Sequence, residues 1–562
     1  MKKKLWIFGV VIVCFLVFIF AVRFIFSFFH HYVPKNTVVK LTLDGNIMEN
    51  PSGIFPLSPK ESLRDILFCL NAAARDPKVS GVVLDIKPFN ALGFFPDNPV
   101  TAKIQEIRSA IEKVNEAGKW TAAYLTDMNE DAYYLGSACQ KIYLPPHDGF
   151  ALNGIILRYG FMHNLLHKIG IKSEVMEMGR YKLASASINQ TKFSPLQKKF
   201  FARVISSFYK QLVSGISKSR HLSKKEVVSL INKGVFYGKN ALTSNLVDGF
   251  AYPGEFDKIL RKEHGVFKIM NWQKYFTKVK DQYWGSGNKI ALVYILGTIM
   301  PGKSAYNPIP LIGGGPVAGS STLRRTFREI RHDPAIKAVV VRINSPGGDV
   351  IASEEIRHAM ELTAAKKPMI ISLSNLAVSG GYLITTLTPK VPIYADRGTM
   401  AVMIHVLNGF LLNTRKLNQK IGFTFDSVSK GKRAKLGDPL SPMTKGDKAV
   451  FHQLLLYYYH WYINRVAQSR GLSVAAVRKL AGSQFYTGIE AKRDKLIDRI
   501  GGLISAIQAA KQKAGVSPQQ PVDVVVYPMP KTLIERLKGM MQGDFGVTFK
   551  MPFLKSRLLM LY

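Results

Sequence analysis

Cysteine is scarce in this chain, with three in 562 residues. Cys14, Cys69 and Cys139 build no disulfide framework, and no CxxC pair starts a zinc knuckle. No metal and no cofactor are expected. Acidic residues are also few: 38 Asp and Glu stand against 77 Lys and Arg, a formal net charge of +39. Such an excess suits nucleic acid or an anionic lipid surface. The basic residues are spread along the chain, with only short clusters such as Lys430, Lys432, Arg433 and Lys435. Zinc-finger, RNP and basic-zipper patterns are missing, so no nucleic-acid partner is expected. An apolar fraction of 47% supports packed cores and excludes a mainly disordered chain. The length suits two to four domains.

Only one long apolar run is present. Residues Leu5 to Val22 read LWIFGVVIVCFLVFIFAV without a charge, preceded by Lys2, Lys3 and Lys4. Eighteen apolar residues at about 1.5 Å each can cross a hydrocarbon core of about 30 Å. No small-residue cleavage site follows in FFHHYVP, so residues 1–30 read as an uncleaved signal anchor. The leading lysines favour an N-in orientation, with the body on the extracytoplasmic side. The expected location is a bacterial inner membrane, crossed once.

The body repeats itself. Val38 onward reads VVKLTLDGNIM and Ile290 onward reads IALVYILGTIM, with Gly45 and Gly297 252 positions apart. RDPKVSGVVLDIK from Arg75 parallels HDPAIKAVVVRIN from His332. Tyr133 parallels Tyr382, Phe236-Tyr237 parallels Phe485-Tyr486, and Asp248 parallels Asp498. An offset that stays near 250 throughout marks two homologous units, read here as 38–285 and 286–530. A linker is expected in YWGSGNK (283–289), and a tail over 531–562 carries the amphipathic stretch TLIERLKGMM.

Within each unit short β-branched runs alternate with helical periodicity. Val339-Val340-Val341 predicts a strand. ASEEIRHAMELTAA (352–365) predicts a helix, with Ser353 as its cap and Ile356, Ala359 and Met360 on one face. Met369 to Leu373 predicts the next strand. That order implies an α/β fold with parallel pairing.

Two glycine-rich turns follow strand-like runs in the second unit: Ser345-Pro346-Gly347-Gly348 and Ser379-Gly380-Gly381. Glycines let a backbone approach a ligand closely and aim N–H groups at it. Paired N–H donors can hold an oxyanion, and a serine at a strand-to-helix turn can attack a carbonyl. Read alone, the Ser-Gly-Gly triplet is more often a plain turn.

NSPGG at 344–348, ASE at 352–354 and SGGY at 379–382 together resemble signal peptide peptidase A, a family of Ser/Lys proteases in the Clp-protease/crotonase superfamily. VVLDIK (82–87) and GRYKLA (179–184) fit the first half of that family's long, duplicated form. The resemblance implies two tandem Clp-protease/crotonase-like (ββα superhelix) domains after a single transmembrane helix. It implies Ser379 as nucleophile, Lys182 from the first unit as general base, and Gly347 or Gly348 with Gly380 as oxyanion donors. It further implies a homotetramer whose substrates are short or unfolded peptides, such as cleaved signal peptides. A free lysine, with pKa about 10.4, is protonated at neutral pH; burial lowers that value until the amine can accept a proton.

Three departures bear on this expectation. Asp349 stands where the family more often has a small hydroxyl residue. Lys432 is opposite Lys182 in the repeat and is a rival base. GTMAVMIHV replaces a Gly-Ser-Ile-Gly-like segment, and its His405 is a second rival. In the first unit, Glu130 stands opposite Ser379, and a carboxylate cannot replace the serine. The competing readings are a tethered scaffold of the same fold without activity and a crotonase-like acyl-CoA enzyme, the latter opposed by the anchor.

Overall fold

The computed structural model describes residues 32–50, 62–90, 98–126, 129–177, 185–285, 287–307, 314–387, 391–402, 408–482 and 484–528. The apolar run Leu5–Val22, Cys14, Lys182, His405 and the TLIERLKGMM stretch lie outside them. Among the described residues no helix is long and apolar enough to cross a membrane.

Twelve elements of the first unit matter here. They are β1 (Thr37–Asn46), α1 (Leu63–Arg75), β2 (Val79–Asn90), α2 (Ala102–Glu116), β3 (Trp120–Leu125), α3 (Glu130–Gly136), β4 (Lys141–Leu144), β5 (Lys172–Glu177), α4 (Pro195–Arg220), β6 (Gly249–Phe250), α5 (Pro253–His264) and β7 (Lys268–Asn271). The second unit repeats them in the same order: β8 (Asn288–Leu296), α6 (Ser320–His332), β9 (Ile336–Ser345), α7 (Val350–Ala364), β10 (Met369–Ala377), α8 (Gly380–Leu383), β11 (Ile393–Ala395), β12 (Asn408–Asn413), α9 (Lys445–Arg470), β13 (Arg499–Ile500), α10 (Leu503–Lys513) and β14 (Val522–Tyr527).

Each unit builds a parallel six-stranded path. The orders are β6-β4-β3-β2-β1-β7 and β13-β11-β10-β9-β8-β14. The strands read as nearly unbroken apolar runs because both faces of each sheet are covered. On β8, Ala291, Val293 and Ile295 enter a core with α6, α7 and α9, while Ile290, Leu292 and Tyr294 enter a core shared with the first unit. That shared core holds α1, α2 and α10. The far face of the first sheet packs on α5 through Phe256 and Leu260. The units therefore stack in the same sense, the α1–α2 side of one on the α10 side of the other.

The repeat extends to polar detail. The 26-residue helices α4 and α9 start with capping boxes at Ser194 and Thr444 and end on matching ion pairs, Arg220–Asp248 (2.9 Å) and Arg470–Asp498 (2.8 Å). The Tyr133 hydroxyl donates to the Leu246 carbonyl, and Tyr382 to that of Leu496. Cys69 and Cys139 are buried free thiols.

One expectation needs correction. The helix after β9 starts two residues earlier than its periodicity suggests, and its cap is Asp349, not Ser353; Ser353 lies one turn in and donates its hydroxyl to the Asp349 carbonyl. The stretch 283–289 also contains a packed joint. Trp284 is buried, stacks on Phe68 with ring centroids 4.0 Å apart, and donates its indole N–H to the Phe68 carbonyl.

Among the described residues one strand pairing joins the halves. β5 joins neither six-stranded path. It pairs antiparallel with β12, from Asn408 opposite Glu177 to Asn413 opposite Lys172.

Candidate active site

Parallel strands deliver their C-terminal ends to one edge of a sheet, and clefts in α/β folds open there. β9 and β10 end side by side on Ser345 and Ala377. Their register slips before that point: Ile343 faces Leu373, yet Ser345 faces Ala377, so β10 carries two more residues than its neighbour. The short strand Met400–Val402 continues the edge beside Leu376 and Ala377.

Ser379 sits on the turn from β10 into α8 with φ 50° and ψ −116°. A non-glycine residue in this region is strained, and the surroundings must hold it there. Three hydrogen bonds to its carbonyl do so, from the N–H groups of Tyr382 and Leu383 and from the Tyr462 hydroxyl at 2.8 Å. Tyr462 comes from α9 and is itself buried. The Ser379 residue is 8% exposed, and its hydroxyl makes no hydrogen bond to any described residue.

The neighbouring loop comes within van der Waals range because it is glycine. Gly347 has φ 101°, and a Cβ there would lie 2.9 Å from both Ser379 Cβ and the Gly380 nitrogen. Gly348, at φ 147°, is pressed against Ile299, where a Cβ would come 2.0 Å from the carbonyl oxygen. Ser345 fixes this loop: its hydroxyl donates to the Gly297 carbonyl at 2.7 Å and accepts the Gly347 N–H at 3.1 Å. The N–H of Gly347 is thereby occupied. Those of Gly348 and Gly380 have no acceptor among the described residues.

Asp349 is accounted for by the helix it begins. Its carboxylate accepts the Ala352 N–H at 2.7 Å as the N-cap of α7. An N-cap acceptor satisfies one of the helix's unpaired first-turn donors.

The other sequence candidates are placed as follows. Lys432 is solvent-exposed in the loop between β12 and α9. Lys182 lies in 178–184, directly after β5, and His405 lies in 403–407, directly before β12; neither is among the described residues. β5 ends directly before the first of these stretches and β12 begins directly after the second, with Glu177 opposite Asn408.

The first unit differs at the matching turn. Glu130 is the first residue of α3, follows the N-cap Asn129, and lacks the positive φ of Ser379. Its carboxylate accepts the Gly154 N–H at 3.0 Å. Burial pushes its pKa up to about 7, against the opposing effect of hydrogen bonds from Gly154 and Asn153. Sequence reasoning had no place for Tyr462 or Ser345, which hold the two catalytic-looking turns. The aromatic run YYYHWY on α9 was the available signal for the first.

Comparison with known proteins gives the same direction. The model of peptidase family S49 matches residues 113–266 and 361–517. The chloroplastic serine protease SPPA of Arabidopsis thaliana is 29% identical over 94% of this chain and 77% of its own length. Protease 4 of Salmonella typhi is 30% identical over 81% of this chain and 72% of its own, and that of Haemophilus influenzae is 28% identical over 81% and 73%.

Proposed function

The chain belongs to peptidase family S49, and from that premise we propose that it is a membrane-tethered serine endopeptidase with a Ser379–Lys182 dyad. Its substrates are cleaved signal peptides or other short apolar peptides at the membrane surface. The observation that carries this reading is the strained turn at Ser379, beside two N–H donors, on Gly348 and Gly380, that have no acceptor among the described residues. Strain concentrated at one polar residue is a mark of functional sites.

In the proposed reaction the Ser379 hydroxyl oxygen attacks the scissile carbonyl carbon. Its proton passes to the neutral Lys182 amine. The N–H groups of Gly348 and Gly380 receive the oxyanion of the tetrahedral intermediate. The lysine ammonium then protonates the departing amine, leaving an acyl-enzyme on Ser379. Water hydrolyses that ester by the same proton route in reverse. Lys432, exposed on its loop, is the poorer base, because an ammonium in water keeps its proton at neutral pH. The capping role of Asp349 removes one argument for an inactive scaffold.

The apolar run Leu5–Val22 supplies the tether, with the body on the extracytoplasmic side of a bacterial inner membrane. The two units already stack in one sense within the chain. The same stacking between chains would close a ring, the proposed homotetramer.

The test is turnover of a fluorogenic apolar peptide by the body lacking residues 1–30. Lys182→Ala is expected to lose at least ~10³-fold in kcat, and Lys432→Ala and His405→Ala less than about threefold. Retained activity in Lys182→Ala, with loss in either of the others, reassigns the base.

A further inference from the structure

A cluster of buried charge lies between the units, directly beneath the nucleophile's strand. Arg342 on β9 is fully buried. Its guanidinium donates to both carboxylate oxygens of Glu49, at 2.9 and 3.1 Å, and to Glu106 at 2.7 Å. It also donates to the Ser372 hydroxyl at 2.9 Å. The Ser374 hydroxyl donates to Glu49. Lys103 reaches the Ile47 carbonyl with its ammonium, while its backbone N–H donates to the Asn375 side chain at 3.1 Å. Glu106 accepts the Leu503 N–H. Glu49, Lys103 and Glu106 belong to the first unit; Arg342, Ser372, Ser374, Asn375 and Leu503 belong to the second.

Burying four charges is a poor way to gain stability, since desolvation consumes most of the attraction. What such a cluster fixes is geometry, because every donor and acceptor has one satisfied arrangement. Burial by itself would raise the Glu49 carboxyl, but Arg342 and Lys103 overcome it and hold the pKa below the ordinary range. The location is what matters. Ser374 and Asn375 lie in the stretch where β10 gains two residues over β9. Irregular extra residues re-aim the chain that follows them. Leu376, next in line, donates its N–H to the Asn344 side chain, at the foot of the Ser345–Gly348 loop. Ser379 follows three residues later.

We propose that the first unit clamps the strand that carries the nucleophile, with Glu49 and Lys103 as positioning residues acting through Arg342, Ser374 and Asn375. The clamp holds the irregular stretch of β10 in the one register that presents Ser379 to the donors of Gly348 and Gly380. This rests on the reading of Ser379 as nucleophile. It gives the half without the nucleophile a second task, separate from any base it supplies.

The experiment uses the full chain in detergent and the same peptide, with active sites counted by a fluorophosphonate that esterifies the serine. Glu49→Gln keeps shape and removes the charge. Asn375→Ala leaves every charge in place and removes the acceptor for the Lys103 N–H. Both are expected to lower kcat per counted site roughly 10- to 100-fold with KM little changed, as small misplacements of a reacting group do. A purely structural role would lower the number of counted sites or the melting temperature and leave kcat per site intact. That result in Asn375→Ala overturns the proposal, including the case where Glu49→Gln does not fold. Ser379→Ala runs alongside: labelling and turnover that survive in it sink the nucleophile assignment instead.

Discussion

Helices α1 and α6 occupy the same place in the two units and have opposite characters. LRDILFCLNAAAR in α1 is buried at Leu63, Ile66, Leu67, Phe68, Cys69, Leu70, Ala72 and Ala73. SSTLRRTFREIRH in α6 buries only Ser320, Leu323, Thr326, Phe327 and Ile330 and turns its arginines outward. Phe68, stacked on Trp284, matches Arg325, whose side chain is 66% exposed. The fold itself asks for one apolar stripe on this helix, and both copies have it. The second apolar side of α1 answers to the neighbours that cover it, the helix Trp272–Tyr283 and α10. Duplicated halves thus separate what every copy of the fold requires from what the cover over one copy requires, here the helix Trp272–Tyr283 of the same unit together with α10 of the other.

The comparison can be broken where it is sharpest, at the two matching turns. Ser379→Ala is expected to lower kcat at least ~10³-fold, while Glu130→Ser neither gains nor loses more than about threefold. A second working site in Glu130→Ser, counted as two fluorophosphonate labels per chain, would undo the claim that the first turn is shaped against catalysis.

The helices give the next largest effect. Phe68→Ala should cost about 3–5 kcal/mol by denaturant unfolding, through loss of a packed ring and the cavity left against Trp284. Arg325→Ala at the same place in α6 should change stability by less than about 0.5 kcal/mol. Equal costs would mean that α6 is covered as well.

Acidity separates the turns again. Glu130 holds its proton in the folded chain up to about pH 7, above its unfolded value of 4.5. The unfolded chain therefore releases that proton first, and stability falls as pH rises through this window. Glu130→Gln should be neutral at pH 4 and stabilising at pH 8, by about 3 kcal/mol. A benefit that is the same at both pH values would contradict the raised pKa.

The smallest effect concerns the caps. Asp349→Ala and Thr101→Ala remove the N-caps of α7 and α2 and should each cost about 1 kcal/mol. Asp349→Asn should restore the α7 cap without changing kcat. A large rise in kcat would give the carboxylate a role at the oxyanion that capping does not explain.

Much of this was legible in the sequence, and the gaps have physical causes. The alternation of strands and helices was visible because buried parallel strands read as apolar runs, and the duplication was visible because both copies keep Gly45/Gly297, Tyr133/Tyr382 and Asp248/Asp498. The cap of α7 was misread because Ser353 and Asp349 are both good caps four residues apart, and only the backbone decides between them. The ion cluster was invisible: Glu49, Lys103, Glu106 and Arg342 carry the same letters as solvated surface charge. Trp284 was hidden in a stretch whose glycines read as a linker.

The ribbon of β5 and β12 has a consequence for how the molecule is made. Its strands lie about 240 residues apart in the chain. At synthesis rates of roughly 5–20 residues per second, β5 waits about 12–50 seconds for its partner. Closing so long a loop also comes late in folding, after local contacts have formed. β5 gains its mooring only when β12 arrives. The two halves are joined through this ribbon only after nearly three quarters of the chain exists.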